Sequence, residues 1–124
     1  MITIDQAKEF ALNWIHSWNS HDLNSILEHY DSKIEFHSPL IPLLKFNETG
    51  VIKSKTELKK YFKIGLDTYP ELSFKFHNVF TGVNTITVYY TSVNGRMATE
   101  VFELNDKRKA TKVFCNYSNN SSLY

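Results

Sequence analysis

The order of hydrophobic patterns along the chain constrains its fold more than any other feature. Apolar residues recur at helical spacing in three segments within the first 70 residues, and four apolar strands rich in aromatic residues follow. Each helix has one apolar stripe and each strand one apolar face, so a curved sheet wrapped around the helices buries both. The sequence therefore predicts an α+β domain with a pocket where helices and sheet part, which is a typical place for a small-molecule site.

Capping signals mark the ends of the predicted helices. Thr3 with Gln6, and Ser54 with Glu57, have the spacing of a capping box, and Pro70 is typical of the residue that stops a helix. Three helices are therefore predicted: one at residues 4–18, a shorter one with the apolar stripe Leu23, Ile26, Leu27 and Tyr30, and one between Ser54 and Pro70 with the stripe Leu58, Tyr61, Phe62, Gly65, Leu66 and Tyr69.

Alternating apolar residues and turn signals mark the strands. A first strand is predicted at residues 33–37, where Ile34 and Phe36 share one face. Residues 40–53 are irregular, and their apolar side chains either pack onto the core or form a lip over the pocket. Four further strands are predicted at residues 72–80, 84–93, 96–104 and 109–117.

The turn at Asn94-Gly95 decides which side chains of the last strands face the pocket. A two-residue turn puts Glu100 on the face opposite Tyr90. A three-residue loop with Gly95 in a bulge puts both on the inner face and separates apolar from polar residues better, so we adopt it. With a four-residue loop at residues 105–108, the predicted inner face consists of Ile86, Val88, Tyr90, Ala98, Glu100, Phe102, Leu104, Thr111, Val113, Cys115 and Tyr117. Glu100 is then the one acid on this face, and no lysine or arginine accompanies it.

Composition and charge exclude several classes of protein. The chain fits one domain, predicted at residues 1–117, followed by a polar tail at residues 118–124. With 14 Lys and Arg against 13 Asp and Glu, it has no field that would attract nucleic acid or an acidic membrane. It has no apolar stretch of about 18 residues and no signal-peptide pattern at its start. The single cysteine, Cys115, cannot form an internal disulfide, so a cytoplasmic location is expected.

Several segments together resemble one superfamily. They are Trp18-Asn19-Ser20-His21-Asp22-Leu23 with Ile26 and Tyr30, then Ile34-Glu35-Phe36-His37-Ser38-Pro39, Gly50, the segment at residues 54–66, and Glu100-Val101-Phe102-Glu103-Leu104. Their order and spacing are similar to those of NTF2-like proteins of the SnoaL-like and ketosteroid isomerase-like branch. The resemblance covers nearly the whole chain. It implies a cone in which three N-terminal helices pack on a strongly curved, mostly antiparallel sheet around a deep pocket, and it implies a homodimer.

The resemblance also implies positions for catalytic groups. In the isomerases a carboxylate base shuttles the proton, while a tyrosine and a protonated carboxylic acid stabilise the oxyanion. The base position falls on Ser38, the tyrosine position on Trp14 and the acid position on Glu100. In SnoaL-like cyclases an acidic residue often follows the aromatic at the end of the last strand, and that position falls on Ser118. Neither base position therefore holds a carboxylate, and only Glu100 matches.

Register and resemblance together give the candidate site residues. Glu100 is the candidate general acid, and His37, next to Ser38 at the predicted pocket mouth, is the candidate base. The predicted ligand-binding residues are Trp14, Tyr30, Phe36, Ser38, Phe62, Val88, Tyr90, Phe102, Val113 and Tyr117. No cofactor is expected. No metal is expected either, because Glu35 and His37 supply two ligands where a catalytic zinc needs three.

Three functions remain open from the sequence. The chain binds a small hydrophobic or aromatic molecule, or it is an isomerase, cyclase or hydrolase with Glu100 as its acid, or it is a non-catalytic association domain. In each case a homodimer is expected through the outer face of the sheet, which has little charge for a surface exposed to water. The residues of this outer face are Thr85, Thr87, Tyr89, Thr91, Met97, Thr99 and Val101.

Overall fold

Helices dominate the first half of the chain, and strands follow. The computed structural model describes residues 1–118, so most of the predicted polar tail lies outside the described residues. In chain order the elements are α1 (Ile4–Asn19), α2 (Leu23–Leu27), β1 (Tyr30–His37), α3 (Leu40–Leu43), β2 (Val51–Ile52), α4 (Lys55–Thr68), β3 (Lys75–Thr81), β4 (Thr85–Thr91), β5 (Met97–Leu104) and β6 (Ala110–Tyr117). The predicted α+β class is confirmed.

The six strands of the described part form one mostly antiparallel sheet. Their order is β2-β1-β6-β5-β4-β3. β1 runs parallel to β6, and the other neighbouring pairs are antiparallel. α1 packs against β3, and α4 packs against β1. The two long helices and the inner faces of the strands therefore share one hydrophobic core.

The helix ends follow the local signals in the sequence. Thr3 and Gln6 form both hydrogen bonds of a capping box, each 3.1 Å long. At the second predicted box only one bond forms, from the Glu57 backbone N–H to the Ser54 hydroxyl at 3.1 Å. The Glu57 carboxylate pairs instead with Lys60 at 3.2 Å. Ser54 is thus an N-cap without the reciprocal bond.

Two predicted boundaries in the first half of the chain are wrong. Tyr30 does not extend the stripe of α2 but begins β1, because the backbone N–H of Ala110 bonds His29 O at 2.8 Å and Tyr30 pairs with Ala110 across the sheet. Residues 40–53 are also more regular than predicted, since they contain α3 and the two-residue strand β2. The change at Tyr30 and the strand β2 come from pairing between segments that are distant in the sequence, whereas α3 is local, with Leu44 N–H donating to Leu40 O at 2.9 Å.

The loop between β4 and β5 has the three-residue form. Ser92 N–H donates to Arg96 O at 2.7 Å, and Asn94 and Gly95 both have positive φ, at 57° and 71°. Positive φ costs little at glycine and is tolerated by asparagine, which explains this residue pair at the turn. The resulting register places Glu100 on the inner face, where it is 3% exposed.

The loop between β5 and β6 differs from the prediction. Asn105 N–H donates to Lys109 O at 2.9 Å, which leaves three residues in the turn instead of four. Thr111 is then the extra residue of a β-bulge and not an inner-face residue. Its hydroxyl bonds Glu103 O at 3.2 Å. The bulge restores the alternation, so the following residues of β6 keep their predicted faces.

Arg96 contradicts the expectation that the inner face carries no lysine or arginine. It is 1% exposed, and its guanidinium carbon lies 5.7 Å from the centroid of the Tyr117 ring. The alternation that turns Ala98 and Glu100 inward also turns Arg96 inward, two residues earlier. A planar guanidinium can be buried there because it stacks on the aromatic face.

Candidate functional site

A cavity of about 60 Å³ lies between the helices and the inner face of the sheet. Its wall consists of Trp14, Trp18, Phe36, Ser38, Leu40, Leu44, Tyr61, Phe62, Gly65, Tyr69, Leu72, Phe74, Tyr90, Ser92, Val93, Glu100 and Tyr117. Ligand pockets usually measure about 300 Å³ or more, whereas this cavity has room for a few water molecules. A ligand the size of a substituted benzene therefore widens the cavity when it enters.

Seven of the predicted site residues meet at this cavity. They are Trp14, Phe36, Ser38, Phe62, Tyr90, Glu100 and Tyr117. Four others, Tyr30, Val88, Phe102 and Val113, lie in the core beside it and are at most 1% exposed. Phe102, for example, packs edge-on against Phe10 of α1, with the ring centroids 5.1 Å apart. These four residues point inward as predicted, but at a level where helix and sheet are in direct contact.

His37 lies on the opposite side of β1 from the cavity. Because Phe36 and Ser38 point inward, strand alternation turns His37 outward. Its Nε2 atom is 2.8 Å from a Glu35 carboxylate oxygen, and its ring stacks on Phe114 with the centroids 4.7 Å apart. The hydrogen bond from His37 lowers the pKa of Glu35. The two candidate catalytic residues, Glu100 and His37, are therefore not brought together.

Glu100 is the one carboxyl group in the cavity wall, which includes no lysine, arginine or histidine. Burial raises the pKa of Glu100 from 4.5 to about 7, against the opposing effects of hydrogen bonds from Tyr90 and Cys115. The Tyr90 hydroxyl donates to Glu100 Oε1 at 2.8 Å. At neutral pH a large share of Glu100 is therefore the neutral acid, which has an O–H of its own to donate.

Hydroxyl groups surround this carboxyl without supplying a base. Burial raises the pKa values of Tyr61, Tyr90 and Tyr117, so these phenols stay protonated. Ser38, which the sequence resemblance assigns to the base position of the isomerases, accepts a hydrogen bond from Leu40 N–H at 3.2 Å. The site can therefore donate hydrogen bonds and give or take one proton at Glu100.

The segment between α4 and β3 contributes Tyr69, Leu72 and Phe74 to the cavity wall, and the sequence did not reveal this role. Asn19 holds it through two bonds to the Phe74 backbone, accepting from N–H at 2.6 Å and donating to the carbonyl at 2.9 Å. His21 Nε2 lies 2.8 Å from Leu72 O. Leu72 and Phe74 thus pair with the end of α1 instead of starting the predicted strand at residue 72. The polar residues 19–22 after the first helix were the one sequence signal that this segment would be held in place.

Trp18 is another wall residue outside the predicted set of site residues. It is 7% exposed, and its ring packs against Phe62 and Phe74 with centroid distances of 4.9 and 5.4 Å. It belongs to the predicted apolar stripe of the first helix, but position on a stripe does not distinguish a core residue from a cavity wall.

Among residues 1–118 no three His, Cys, Asp or Glu side chains are grouped to hold a metal ion. No helix in that part is both long and apolar enough to cross a bilayer.

Comparison with known proteins gives one matching family and several similar structures. The family model of the SnoaL-like domain matches residues 11–111. A SnoaL-like protein of unknown function from Burkholderia thailandensis E264 is 32% identical, over 95% of this chain and 98% of that one, with a TM-score of 0.90. No curated protein matches the chain.

More distant structures share the fold alone. SalBIII, an epoxide hydrolase/cyclase-like enzyme with a role in pyran ring formation in the polyether salinomycin, is 14% identical over 95% of both chains, with a TM-score of 0.72. TerC, co-crystallised with polyporic acid, is 13% identical over 90% of this chain and 91% of its own, with a TM-score of 0.73. At such identities a common fold does not imply a common activity.

Proposed function

This chain belongs to the SnoaL-like family, and we propose that it binds a small, largely apolar molecule in the cavity between its helices and sheet. The observation that carries the proposal is the composition of the cavity wall. Aromatic and aliphatic side chains make up most of it, and a single carboxyl, Glu100, lies among them. An apolar pocket with few fixed polar groups is the usual form of a small-molecule site.

Glu100 gives the ligand its orientation in this proposal. Its neutral form donates a hydrogen bond to a ligand oxygen, while Tyr90 holds the carboxyl in place through the bond at 2.8 Å. The protonated carboxyl accepts a hydrogen bond from Tyr90 and still has an O–H to donate. This donor favours a ligand that has a carbonyl or ether oxygen. The apolar remainder of the ligand packs against the rings of Trp14, Phe36 and Phe62.

Substitutions of Glu100 test this arrangement with 4-methylacetophenone as the probe, whose one oxygen can only accept. We expect Glu100→Gln to bind the probe about as well as the wild type, because the amide keeps a donor and the shape. Glu100→Ala should weaken binding by about 1–3 kcal/mol, since the oxygen loses its donor. Calorimetric titration at pH 6, where most of Glu100 is neutral, measures both.

Glu103→Gln is the matched control, because Glu103 is on the same strand but pairs with Lys112 on the outer face. It should bind like the wild type. Failure of the wild-type protein to bind the probe and a panel of other small apolar aromatics would count against the proposal as a whole. Equal binding of the probe by the wild type and by Glu100→Ala would show that Glu100 does not bind the probe.

A second candidate is an enzyme in which Glu100 acts as a general acid. The observation in its favour is the pKa of about 7, which suits proton transfer near neutral pH. SalBIII is described as epoxide hydrolase/cyclase-like, so styrene oxide is a suitable test substrate. Glu100→Gln separates the two candidates: an enzyme loses turnover while keeping affinity, and a binding protein has no turnover to lose.

The same proposal includes a homodimer formed through the outer face of the sheet. Phe114, 40% exposed, adds to the predicted face beside Val101, its neighbour across β5 and β6. We expect light scattering at micromolar concentration to give twice the 14.5 kDa of one chain. Val101→Lys should give the monomer, because it places a charge in the interface. A mass of 14.5 kDa for the wild type would contradict the dimer.

A dimer that binds no small molecule would favour the third function, an association domain. A cytoplasmic location is also part of the proposal, since Cys115 is the only cysteine and is buried.

A further inference from the structure

Gly65 is a glycine that neither its backbone nor its packing requires. Gly50 and Gly95 have positive φ, at 75° and 71°, which favours glycine. At Gly82 an added Cβ would collide with the Thr85 hydroxyl. Gly65 lies inside α4 without a positive φ, and among residues 1–118 no atom outside its own stretch of helix is within 4 Å of a Cβ built there. Because glycine is a poor helix former, alanine would suit α4 better at this position.

The open space at Gly65 belongs to the cavity between the helices and the sheet. Tyr61, Phe62 and Tyr69 of the same helical segment line the cavity together with Gly65. Successive residues of an α-helix are about 100° apart, so position 65 points about 40° from Tyr61 and about 60° from Phe62, between the two. Both neighbours are buried, at 7% and 2% exposed. A side chain at position 65 would therefore extend into the cavity, and its absence leaves room there.

We propose that Gly65 determines which ligands the cavity accepts, because it leaves space for an apolar group across the cavity from Glu100. The inference rests on the proposed small-molecule function and narrows its ligand class. Gly65 is on α4 at the helix side of the cavity, whereas Glu100 is on β5 at the sheet side. The ligand is an aromatic ketone or ether with an alkyl extension at the end away from its oxygen.

The way in which the cavity must widen supports this role. With about 60 Å³ it has to expand for any aromatic ligand. Elsewhere the wall consists of side chains in contact with one another, such as Trp18 and Phe62, whose ring centroids are 4.9 Å apart. Beside Gly65 a ligand meets backbone atoms, so no side chain of this residue has to move. An apolar extension therefore enters more easily there than between the packed rings.

Two probes that differ only in their apolar end test the inference by calorimetric titration at pH 6. 4-Methylacetophenone has a methyl group opposite its carbonyl, and 4-butylacetophenone has a four-carbon chain there. We expect the wild type to bind the butyl compound about ten- to fiftyfold more tightly, because three more CH₂ groups leave water. Gly65→Leu should reduce this preference to about threefold or less, since its side chain fills the same space. Its affinity for 4-methylacetophenone should change less than about threefold.

Lys59→Leu is the matched control, because it adds the same side chain to the exposed face of α4. It should keep the wild-type preference for the butyl compound. Should Gly65→Leu fail to fold, Gly65→Ala takes its place and should lower the preference about threefold, the equivalent of roughly one CH₂ of lost space.

The stability of Gly65→Ala tests the open space without any ligand. We expect its melting temperature to rise by about 2–5 °C, because alanine is the better helix former and its methyl group enters unoccupied space. A lower melting temperature would show that the space beside Gly65 is filled, and it would overturn the inference.

The binding outcomes separate this inference from the proposed function. If neither probe binds the wild type, the small-molecule function fails for this ligand class, and the inference fails with it. If both bind but the wild type does not prefer the butyl compound, or the full preference survives in Gly65→Leu, the inference is overturned and the proposed function stands.

Discussion

We expect Phe102→Ala to lower the free energy of unfolding by about 3–5 kcal/mol. Phe102 is fully buried, and its ring lies 5.1 Å from that of Phe10 and 5.3 Å from that of Trp14. Truncation removes these contacts and leaves a void between α1 and β5 that the surrounding rings fill only in part. The total free energy of unfolding of a domain of this kind is about 5–15 kcal/mol, so urea denaturation should detect the change easily.

Phe80→Ala is the matched control for this substitution. Phe80 is 53% exposed on β3, and the change should alter stability by no more than about 1 kcal/mol. Similar losses in the two variants would contradict the assignment of Phe102 to the core.

Glu100 should make the stability of the protein depend on pH. Its pKa is about 7 in the folded state against 4.5 as the ordinary value, so the folded state binds the proton more tightly than the unfolded state. The free energy of unfolding therefore falls as the pH rises from 4.5 to 7 and levels off above 7. A shift of this size corresponds to about 3 kcal/mol.

Glu100→Gln isolates this contribution, because the amide stays neutral at every pH. At each pH the variant's free energy of unfolding is compared with that of the wild type. We expect this difference to be about 3 kcal/mol larger, in favour of the variant, at pH 8 than at pH 4. Other titrating groups, such as His29 with a pKa lowered by burial, act equally in both proteins. A difference between the two proteins that stays constant from pH 4 to pH 8 would show that Glu100 titrates as an ordinary glutamate.

Local signals in the sequence predict much of the fold. The cap at Thr3 and the helical spacing of apolar residues place α1 within one residue of its observed end. Strand alternation predicts the burial of Val88, Tyr90 and Glu100, once a clean separation of apolar from polar residues selects the three-residue loop. These features depend on residues close together in the chain, and such patterns are visible in a sequence.

Pairing between distant segments accounts for most of the misses. Tyr30 joins β1 because of its partner Ala110, and Phe74 leaves the predicted strand because Asn19 takes its backbone hydrogen bonds. The bulge at Thr111 also depends on how β5 and β6 pair. A sequence pattern contains the preferences of each segment but not the choice of partner.

The division between core and cavity was the least predictable part of the site. Alternation shows that Tyr90 and Phe102 both point inward, yet one lines the cavity and the other contacts α1. Whether an inward-facing residue lines the cavity or packs against a helix depends on where the helices diverge from the sheet. The outward position of His37, by contrast, follows from the same alternation that turns Phe36 inward. The prediction of His37 as a base did not take this alternation into account.

The proposed function requires that Glu100 be a buried acid, neutral over much of the neutral range, that binds a ligand oxygen. NMR titration of its ¹³C-labelled carboxyl, assigned by comparison with Glu100→Gln, measures this directly. We predict a midpoint near pH 7 in the free protein. It should be higher with saturating 4-methylacetophenone, because the ketone binds the protonated form. A midpoint near the ordinary 4.5, unchanged by the ketone, would contradict the account.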